Sequence, residues 1–512
     1  MAKVNLISFF KKNWILILIL LTGAFIRLYK IESYMTFLGD EGRDAIIVRN
    51  LLVHFDPILI GPGTSVGNMY LGPLYYYFMA PFLFLSNYSP VGPAIGVALL
   101  GIVTIYLVFI VGKDWFGKTA GLIAALFFAI SPTVIVYSRS SWNPNIMPFF
   151  SLLTIYAMWR VWKKNDYKFL YVMAISYAFV LQSHYLGLLL APVIGIIWIL
   201  KFLLLNTTTS TITEKTPLIK FIKSSVFAVC VFLFLMSPLL IFDIRHNWMN
   251  YNAMKTFFTI RESTFSISPW SSFSKIPNIA IDIVSSLVAA KNILLSQIVL
   301  AIISIPSILF LLGRKKLHRN EASGFSILFL WIIFGLIGFG LYKQPIYDHY
   351  YGFLFAAPFL LIGGFIQDVF ENLSKAGKYI LVSALSLLFF VNIINNPLRN
   401  SPNNQVKRAE NVANKVIEES KDQKFNIAVV AEQNYEDGYQ YFLEKNNSKM
   451  IEIDAQLTET VTDQLFVICE KIKEECDPTH SAKAEVANFG WSKIENEWNV
   501  DGVTIYKLIH TK

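Results

Sequence analysis

The sequence predicts a polytopic α-helical membrane protein of about eleven transmembrane helices, followed by a small extracytoplasmic α/β domain. Three observations carry this reading. Of 512 residues, 54% are hydrophobic and only 15% charged, where a soluble domain carries about 25% charge. Apolar runs of helix length recur as far as Ile394 and then stop. The charge divides at the same place: 30 Lys and Arg face 15 Asp and Glu up to Pro397, and 14 face 20 from Leu398 onward. A disordered chain, a disulfide-stapled miniature and an ordinary soluble enzyme are excluded. The basic excess lies in the membrane part, where positive loops set topology. It therefore points to no nucleic-acid partner, and no Gly-rich phosphate loop, zinc-ligand spacing or aromatic RNA-binding signature accompanies it.

The first apolar run, Trp14 to Ile26, follows Lys11 and Lys12. It has the length of a signal-peptide core, but no small-x-small cleavage site follows. The chain instead enters Arg27-Leu28-Tyr29, where Arg27 is expected to snorkel to the interface beside an aromatic anchor. An uncleaved helix with a cytoplasmic N-terminus is the result. Further spans are expected near 91–111, 120–137, 146–161, 169–181, 185–203, 226–242, 293–312, 325–341, 351–366 and 379–394. The short loops this places in the cytoplasm hold Lys113 and Lys118, then Arg160, Lys163, Lys164 and Lys168, then Arg314, Lys315, Lys316 and Arg319. The short loops opposite hold only Arg139 and Lys343, which satisfies the positive-inside rule. An odd number of spans puts the C-terminal segment outside. Two outer loops are long, 32–90 and 243–292. Within the first, 71–85 is apolar but broken by Pro73 and Pro81, and reads as an interfacial or re-entrant helix. The polar stretch 206–213 is a cytoplasmic loop.

Residues 1–396 thus form the membrane domain. Pro397, Pro402 and the asparagines between them mark a linker, and 397–512 reads as a soluble domain. Helix-like Gln405–Ser420 and Tyr439–Lys445 alternate with strand-like Asn426–Ala431, Leu465–Cys469 and Gly502–Leu508, a small α/β pattern. Of the three cysteines, Cys469 and Cys476 pair in an oxidising compartment and stand as free thiols otherwise; Cys230 has no near partner in sequence.

Candidate chemistry lies at the outer ends of the helices. Asp40 and Glu41 stand in Phe37-Leu38-Gly39-Asp40-Glu41-Gly42-Arg43-Asp44, about ten residues past the first helix. Solvated loop charge is the plain reading of such a run. Two glycines let the backbone turn closely around a ligand, and Arg43 can pair with a phosphate or hold a carboxylate ionised. Nine of the membrane part's fifteen acids also lie outside. Arg139, in Ser138-Arg139-Ser140, is an interfacial snorkel or a planar fork for a lipid-linked phosphate. His184, in Gln182-Ser183-His184-Tyr185, is a turn residue or a donor to phosphate or sugar. His349 and Tyr350 open the tenth span as anchors or ligands. Singly each is weak, but the topology puts all of them on one side of the membrane at one depth. Tyr70 and Tyr75 to Tyr77 read as interfacial anchors, and His54, Asp243 and His246 have no partner visible in sequence.

These residues together resemble the GT-C glycosyltransferases. The matching features are the Arg27-Leu28-Tyr29 helix end, the outer-loop Asp40-Glu41, the Gly72-Pro73-Leu74-Tyr75-Tyr76 helix start, and His349-Tyr350-Tyr351 followed by Pro358. The resemblance is to the bacterial branch related to protein O-mannosyltransferases and lipid A aminoarabinose transferases, over roughly residues 10 to 370. It implies a polyprenyl-phosphate sugar donor, a protein, lipid or glycan acceptor arriving from outside, and inverting transfer in the inner membrane. An outer-loop carboxylate would serve as general base. On this chain the base would be Asp40, with Glu41 orienting the acceptor. Arg139, His184, His349 and Tyr350 would stabilise the leaving phosphate. The sequence departs from the family in having no Trp-Trp-Asp motif and no β-trefoil insert. No cofactor is compelled, and a divalent ion at Asp40-Glu41 stays open. The rival reading is a lipid-linked sugar flippase or transporter, but transporters place charge and broken helices near the midplane. Here the span centres are nearly free of charge.

Overall fold

A computed structural model describes residues 6–64, 69–207, 216–259, 273–312 and 319–511. Arg314, Lys315 and Lys316 of the expected basic loop, and 208–213 of the polar loop, lie outside these residues. All eleven expected membrane segments are helical over most of their length. Among the described residues, five helices are long and apolar enough to cross alone: Val91–Phe116, Tyr185–Thr207, Thr216–Arg245, Glu321–Leu341 and Lys375–Ile394. Asp348–Leu354 with Ala357–Gln367 makes a sixth, bent by 54°. The expected count of about eleven spans is therefore not met by length and composition. The difference comes from helices such as Lys118–Ile130, Phe169–Ser183 and Ile293–Ser304, which are apolar but shorter than a hydrocarbon core. The expected re-entrant segment is the helix Leu74–Leu85, whose 12 residues reach only part way across. The apolar helices mark the chain as an integral membrane protein.

The membrane helices share one apolar core around Trp115, Trp159, Trp331, Phe325 and Phe353. Trp159 Nε1 donates to Ser323 Oγ (3.0 Å), whereas the buried Nε1 atoms of Trp115 and Trp331 have no hydrogen-bond partner among the described residues. Lys118 Nζ donates to the Lys12 carbonyl (2.6 Å), and Arg160 pairs with Asp166 (2.9 Å), so the basic residues gather at one end. Arg27 does not snorkel. It is fully buried, and its guanidinium donates to the carbonyls of Gly23 (3.3 Å) and Ala129 (3.0 Å). Its Nε and Nη2 are buried with no hydrogen-bond partner among the described residues, so the two carbonyls compensate its burial only in part.

The C-terminal segment forms a four-stranded sheet in the order β1-β2-β4-β3. These strands are β1 (Asn426–Val430), β2 (Gln464–Cys469), β3 (Ser492–Val500) and β4 (Val503–His510). β1 and β2 run parallel with Asn426 opposite Leu465, and the other pairs are antiparallel. β1 and β2 are buried throughout, which gave them their continuous apolar run in sequence. β3 escaped sequence reading because it is a solvent-facing edge carrying Lys493, Glu495 and Glu497. Asp501-Gly502, both at positive φ, close the β3–β4 hairpin. Cys469 and Cys476 are joined in a disulfide.

This segment does not stand apart from the outer loop. A second apolar cluster joins Phe37, Tyr75, Tyr76 and Met79 of the loop to Val412, Tyr441, Phe442 and Phe466 of the tail. Polar ties cross the same boundary: Phe37 N–H to Gln405 Oε1 (2.9 Å), Tyr34 hydroxyl to the Asn400 carbonyl (3.0 Å), and Tyr441 hydroxyl to the Tyr88 carbonyl (2.6 Å). The helix Gly39–His54, which carries the acidic motif, packs against the helix Asp437–Lys445. Contact is so close that a Cβ on Gly42 would lie 2.4 Å from the Asp437 carbonyl carbon. Gly42→Val is therefore expected to force the two helices apart, at a cost of at least about 1–3 kcal/mol. Faster proteolysis at 397–404 in the variant, with the membrane part intact, is the expected readout.

Candidate active site

The acidic helix starts where the sequence provides for it. The Glu41 carboxylate accepts the Leu38 N–H (3.0 Å) and the Gly42 N–H reaches the Leu38 carbonyl (2.8 Å), closing the first turn. Two acids there also suit the positive end of the helix dipole. Spacings of three and four residues then put Asp40, Arg43 and Asp44 on one side of the helix. Arg43 Nη1 donates to Asp40 Oδ1 (2.8 Å), while its Nη2 (2.8 Å) and Nε (3.2 Å) donate to Asp44 Oδ1. The Tyr76 hydroxyl donates to the same Asp44 oxygen (3.0 Å). Burial opposes the Arg43 charge, but Asp44 and Asp40 outweigh it and hold the guanidinium above its ordinary range. Asp44 is fully buried, whereas the Asp40 side chain is 40% exposed. One carboxylate anchors the arginine, and the other is presented.

Asp40 is presented to a cavity of about 310 Å³. The same cavity is lined by Arg43, Trp142, His184, His349, Tyr350 and Tyr435. His184 ends the helix Phe169–Ser183, and its Nδ1 accepts the Leu186 N–H (3.2 Å). Burial pushes the imidazole down to about 3, so it is neutral, and with Nδ1 accepting, its proton sits on Nε2 as a donor. Its ring lies 5.1 Å from Tyr350 and 6.1 Å from His349 between centroids, and His349 lies 4.6 Å from Trp142. Nearby, Asp348 accepts from Ser286 Oγ (2.8 Å) and pairs with Lys291 (3.0 Å), fixing the start of the bent span.

Five of the seven residues singled out in sequence thus meet on one cavity: Asp40, Arg43, His184, His349 and Tyr350. Glu41 turns away from it. It lines a second cavity of about 300 Å³, which shares Asp40, Trp142 and Tyr435 with the first. Arg139 lines neither. Its guanidinium donates to the carbonyls of Ile26 and Tyr29 (2.8 Å for the latter), capping the end of the first helix. The expected phosphate fork is spent on backbone, so the cation facing the first cavity is Arg43. Tyr75 and Tyr76 are buried rather than interfacial, with their hydroxyls bound to Ser141 and Asp44. Asp243, unassigned in sequence, accepts the Asn250 N–H (2.7 Å) and Tyr251 N–H (3.1 Å) to start the next helix. Sequence reading gave Asp44 and Tyr435 no role, and took Tyr76 for an interfacial anchor and Trp142 for a belt residue. Asp44 alone had a local signal, four residues from Asp40 on the same helix face.

The residues present do not fit a divalent ion at Asp40-Glu41. Asp40 faces Arg43 while Glu41 faces a backbone amide, so the carboxylates do not converge. Among the described residues no three His, Cys, Asp or Glu side chains gather to hold a metal.

Burial pushes the Glu41 carboxyl up to about 7, against the pull of the Leu38 N–H. Its ordinary value is 4.5, so between those two pH values the folded protein keeps a proton that the unfolded chain has lost. The stability this contributes is complete below pH 4.5 and is lost as pH rises through about 7, on the order of 3 kcal/mol. Glu41→Gln should flatten that part of the melting-temperature profile between pH 5 and 8. An unchanged slope would contradict the buried neutral carboxyl.

The dolichyl-phosphate-mannose-protein mannosyltransferase family profile matches residues 71–242. No curated protein matches the chain. Among solved structures the chain is similar to ArnT from Cupriavidus metallidurans bound to undecaprenyl phosphate, at 12% identity and TM-score 0.60. That likeness covers 97% of this chain and 98% of the other. It is also similar to the Archaeoglobus fulgidus oligosaccharyltransferase in complex with zinc and sulfate, at 14% identity and TM-score 0.50. There 85% of this chain covers 62% of that longer protein. At these identities the likeness is one of fold: the chain has the fold of the GT-C membrane glycosyltransferases.

Proposed function

We propose that this protein moves a sugar from a polyprenyl-phosphate donor to an acceptor hydroxyl, inverting the anomeric centre, with Asp40 as the general base. The observation that carries the reading is the first cavity, where Asp40 meets Arg43, His184, His349 and Tyr350 at the ends of membrane helices. The likeness to ArnT, whose structure is bound to undecaprenyl phosphate, supports a polyprenyl-phosphate carrier. The acceptor oxygen attacks the anomeric carbon as its proton passes to Asp40, and the bond from that carbon to the phosphate oxygen breaks with its electron pair. Charge then collects on the lipid phosphate. Arg43, the His184 Nε2–H, His349 and the Tyr350 hydroxyl are donors on the cavity wall that can meet this charge as it forms. Arg43 also keeps Asp40 aimed at the cavity.

The active face is extracytoplasmic in this reading, and the N-terminus is cytoplasmic. The tail packs on the acidic helix and carries the Cys469–Cys476 disulfide, which belongs to an oxidising compartment. Lys12, Lys118 and Arg160 gather at the other end, as the positive-inside rule requires.

The test uses purified protein with a panel of radiolabelled undecaprenyl-phosphate hexoses, in detergent and in liposomes. Release of lipid phosphate with transfer or hydrolysis of the sugar is the expected result. Movement of intact donor across liposomes without cleavage would make the protein a flippase and overturn the reading.

A further inference from the structure

The two cavities meet along a wall to which the tail contributes. Asp40, Trp142 and Tyr435 face both. Beyond that wall, the second cavity is lined by Thr36, Tyr137, Ser140 and Gln433. Tyr435 is 52% exposed, yet its position is closely set. A Cβ on Gly39 would lie 2.2 Å from the Tyr435 ring, so the ring occupies the space that the glycine leaves open beside Asp40. The neighbouring Asn434 is buried and held on both sides. Its Oδ1 accepts the Gly39 N–H (2.9 Å) and the Tyr435 N–H (2.9 Å), while its Nδ2 donates to Glu470 Oε1 (2.5 Å). The Tyr439 hydroxyl holds the same Glu470 oxygen (2.6 Å). A tail segment that served only to pack would not need an exposed ring set so firmly at the cavity edge.

We infer that Gln433 and Tyr435 are acceptor-specificity residues, and that the second cavity takes an uncharged carbohydrate hydroxyl acceptor. The inference rests on the reading of the first cavity as the donor site. An inverting displacement brings nucleophile and leaving group to opposite sides of one carbon, so the acceptor belongs on the far side of Asp40 from His184 and Tyr350. The lining then names the acceptor's chemistry. Trp142 and Tyr435 offer ring faces, and Gln433, Ser140, Thr36 and Tyr137 offer hydroxyl and amide groups, the mixture that a polyol satisfies. Asp40 and the buried Glu41 carboxyl line this cavity with neither Lys nor Arg, so a phosphorylated or otherwise anionic acceptor would find no cation to pair with there. Its volume lies at the small end of ligand pockets.

The test measures transfer from labelled undecaprenyl-phosphate hexose by the full-length protein to three probe acceptors: octyl glucoside, octyl phosphate and a Ser/Thr-containing peptide. Wild type should use octyl glucoside. Gln433→Ala, at a residue that lines the second cavity and not the first, should raise the octyl glucoside KM at least about tenfold with the donor KM moved less than twofold. Tyr435→Ala should raise the octyl glucoside KM at least about tenfold and more than it raises the donor KM. Tyr435→Phe should stay near wild type, because the ring is kept. Melting temperatures identify any variant that fails to fold, and the remaining variant then carries the test. Octyl glucoside KM unchanged in the folded variants would overturn the assignment while leaving the donor reading intact, as would preferred transfer to octyl phosphate or the peptide. No donor turnover by wild type would overturn both.

Discussion

Arg43→Met is expected to destabilise the protein by about 3–5 kcal/mol, the usual result of stranding one charge of a buried pair. Asp44 is fully buried, and its bound oxygen takes two donors from Arg43 and one from Tyr76. Its second oxygen has no hydrogen-bond partner. Burial already pushes the Asp44 carboxyl up to about 6 against the pull of Arg43, and removing the arginine leaves it supported by a phenol alone, with its charge disfavoured further. Adding Asp44→Asn to Arg43→Met removes the stranded charge and should recover most of the loss. The cycle is read from thermal unfolding in detergent. Equal melting temperatures for wild type and Arg43→Met would mean that the pair is not the keystone of this helix.

Asp40→Asn should leave the fold intact and lower turnover roughly 10²- to 10⁴-fold, the usual contribution of a positioned general base. The side chain keeps its shape and can still accept from Arg43, but it can no longer take a proton. Binding of undecaprenyl phosphate, proposed to rest on His184, His349 and Tyr350, should stay close to wild type. A fall in kcat without a matching rise in donor KM is the signature. If binding fell in step with turnover, Asp40 would be holding the donor rather than the acceptor proton.

Much of the fold was legible because its causes are local. Apolar runs long enough for a helix become helices whatever their partners, and the fully buried β1 and β2 show the same directness. The site was legible in part for a topological reason. His184 and His349 lie 165 residues apart, but each ends or begins a membrane helix on the same side, so the alternation of spans brings them together. Other features depend on tertiary partners that spacing does not reveal. Arg139 occupies a helix mouth as expected, yet the carbonyls of Ile26 and Tyr29 claim its guanidinium. Tyr76 reads as an interfacial anchor until Asp44 lies beneath it. Tyr435 carries no local signal, since its value comes from Gly39, in another domain of the sequence.

That last contact also changes how the tail is understood. Read as a separate domain, 397–512 would be dispensable for a membrane-embedded reaction. With Phe37 and Tyr76 in one apolar cluster with Val412 and Phe466, its removal would uncover the acidic helix. Loss of activity on truncation would therefore follow from packing alone, and point substitutions at Tyr435 and Gln433 are the cleaner probes.

The most direct test of the account is a quenched single turnover of radiolabelled undecaprenyl-phosphate hexose by purified wild type and Asp40→Asn, matched for folded protein and bound donor. Lipid phosphate and transferred or free sugar are expected from wild type, and intact donor from the variant. Equal product from both would remove Asp40 from the chemistry and contradict the central claim.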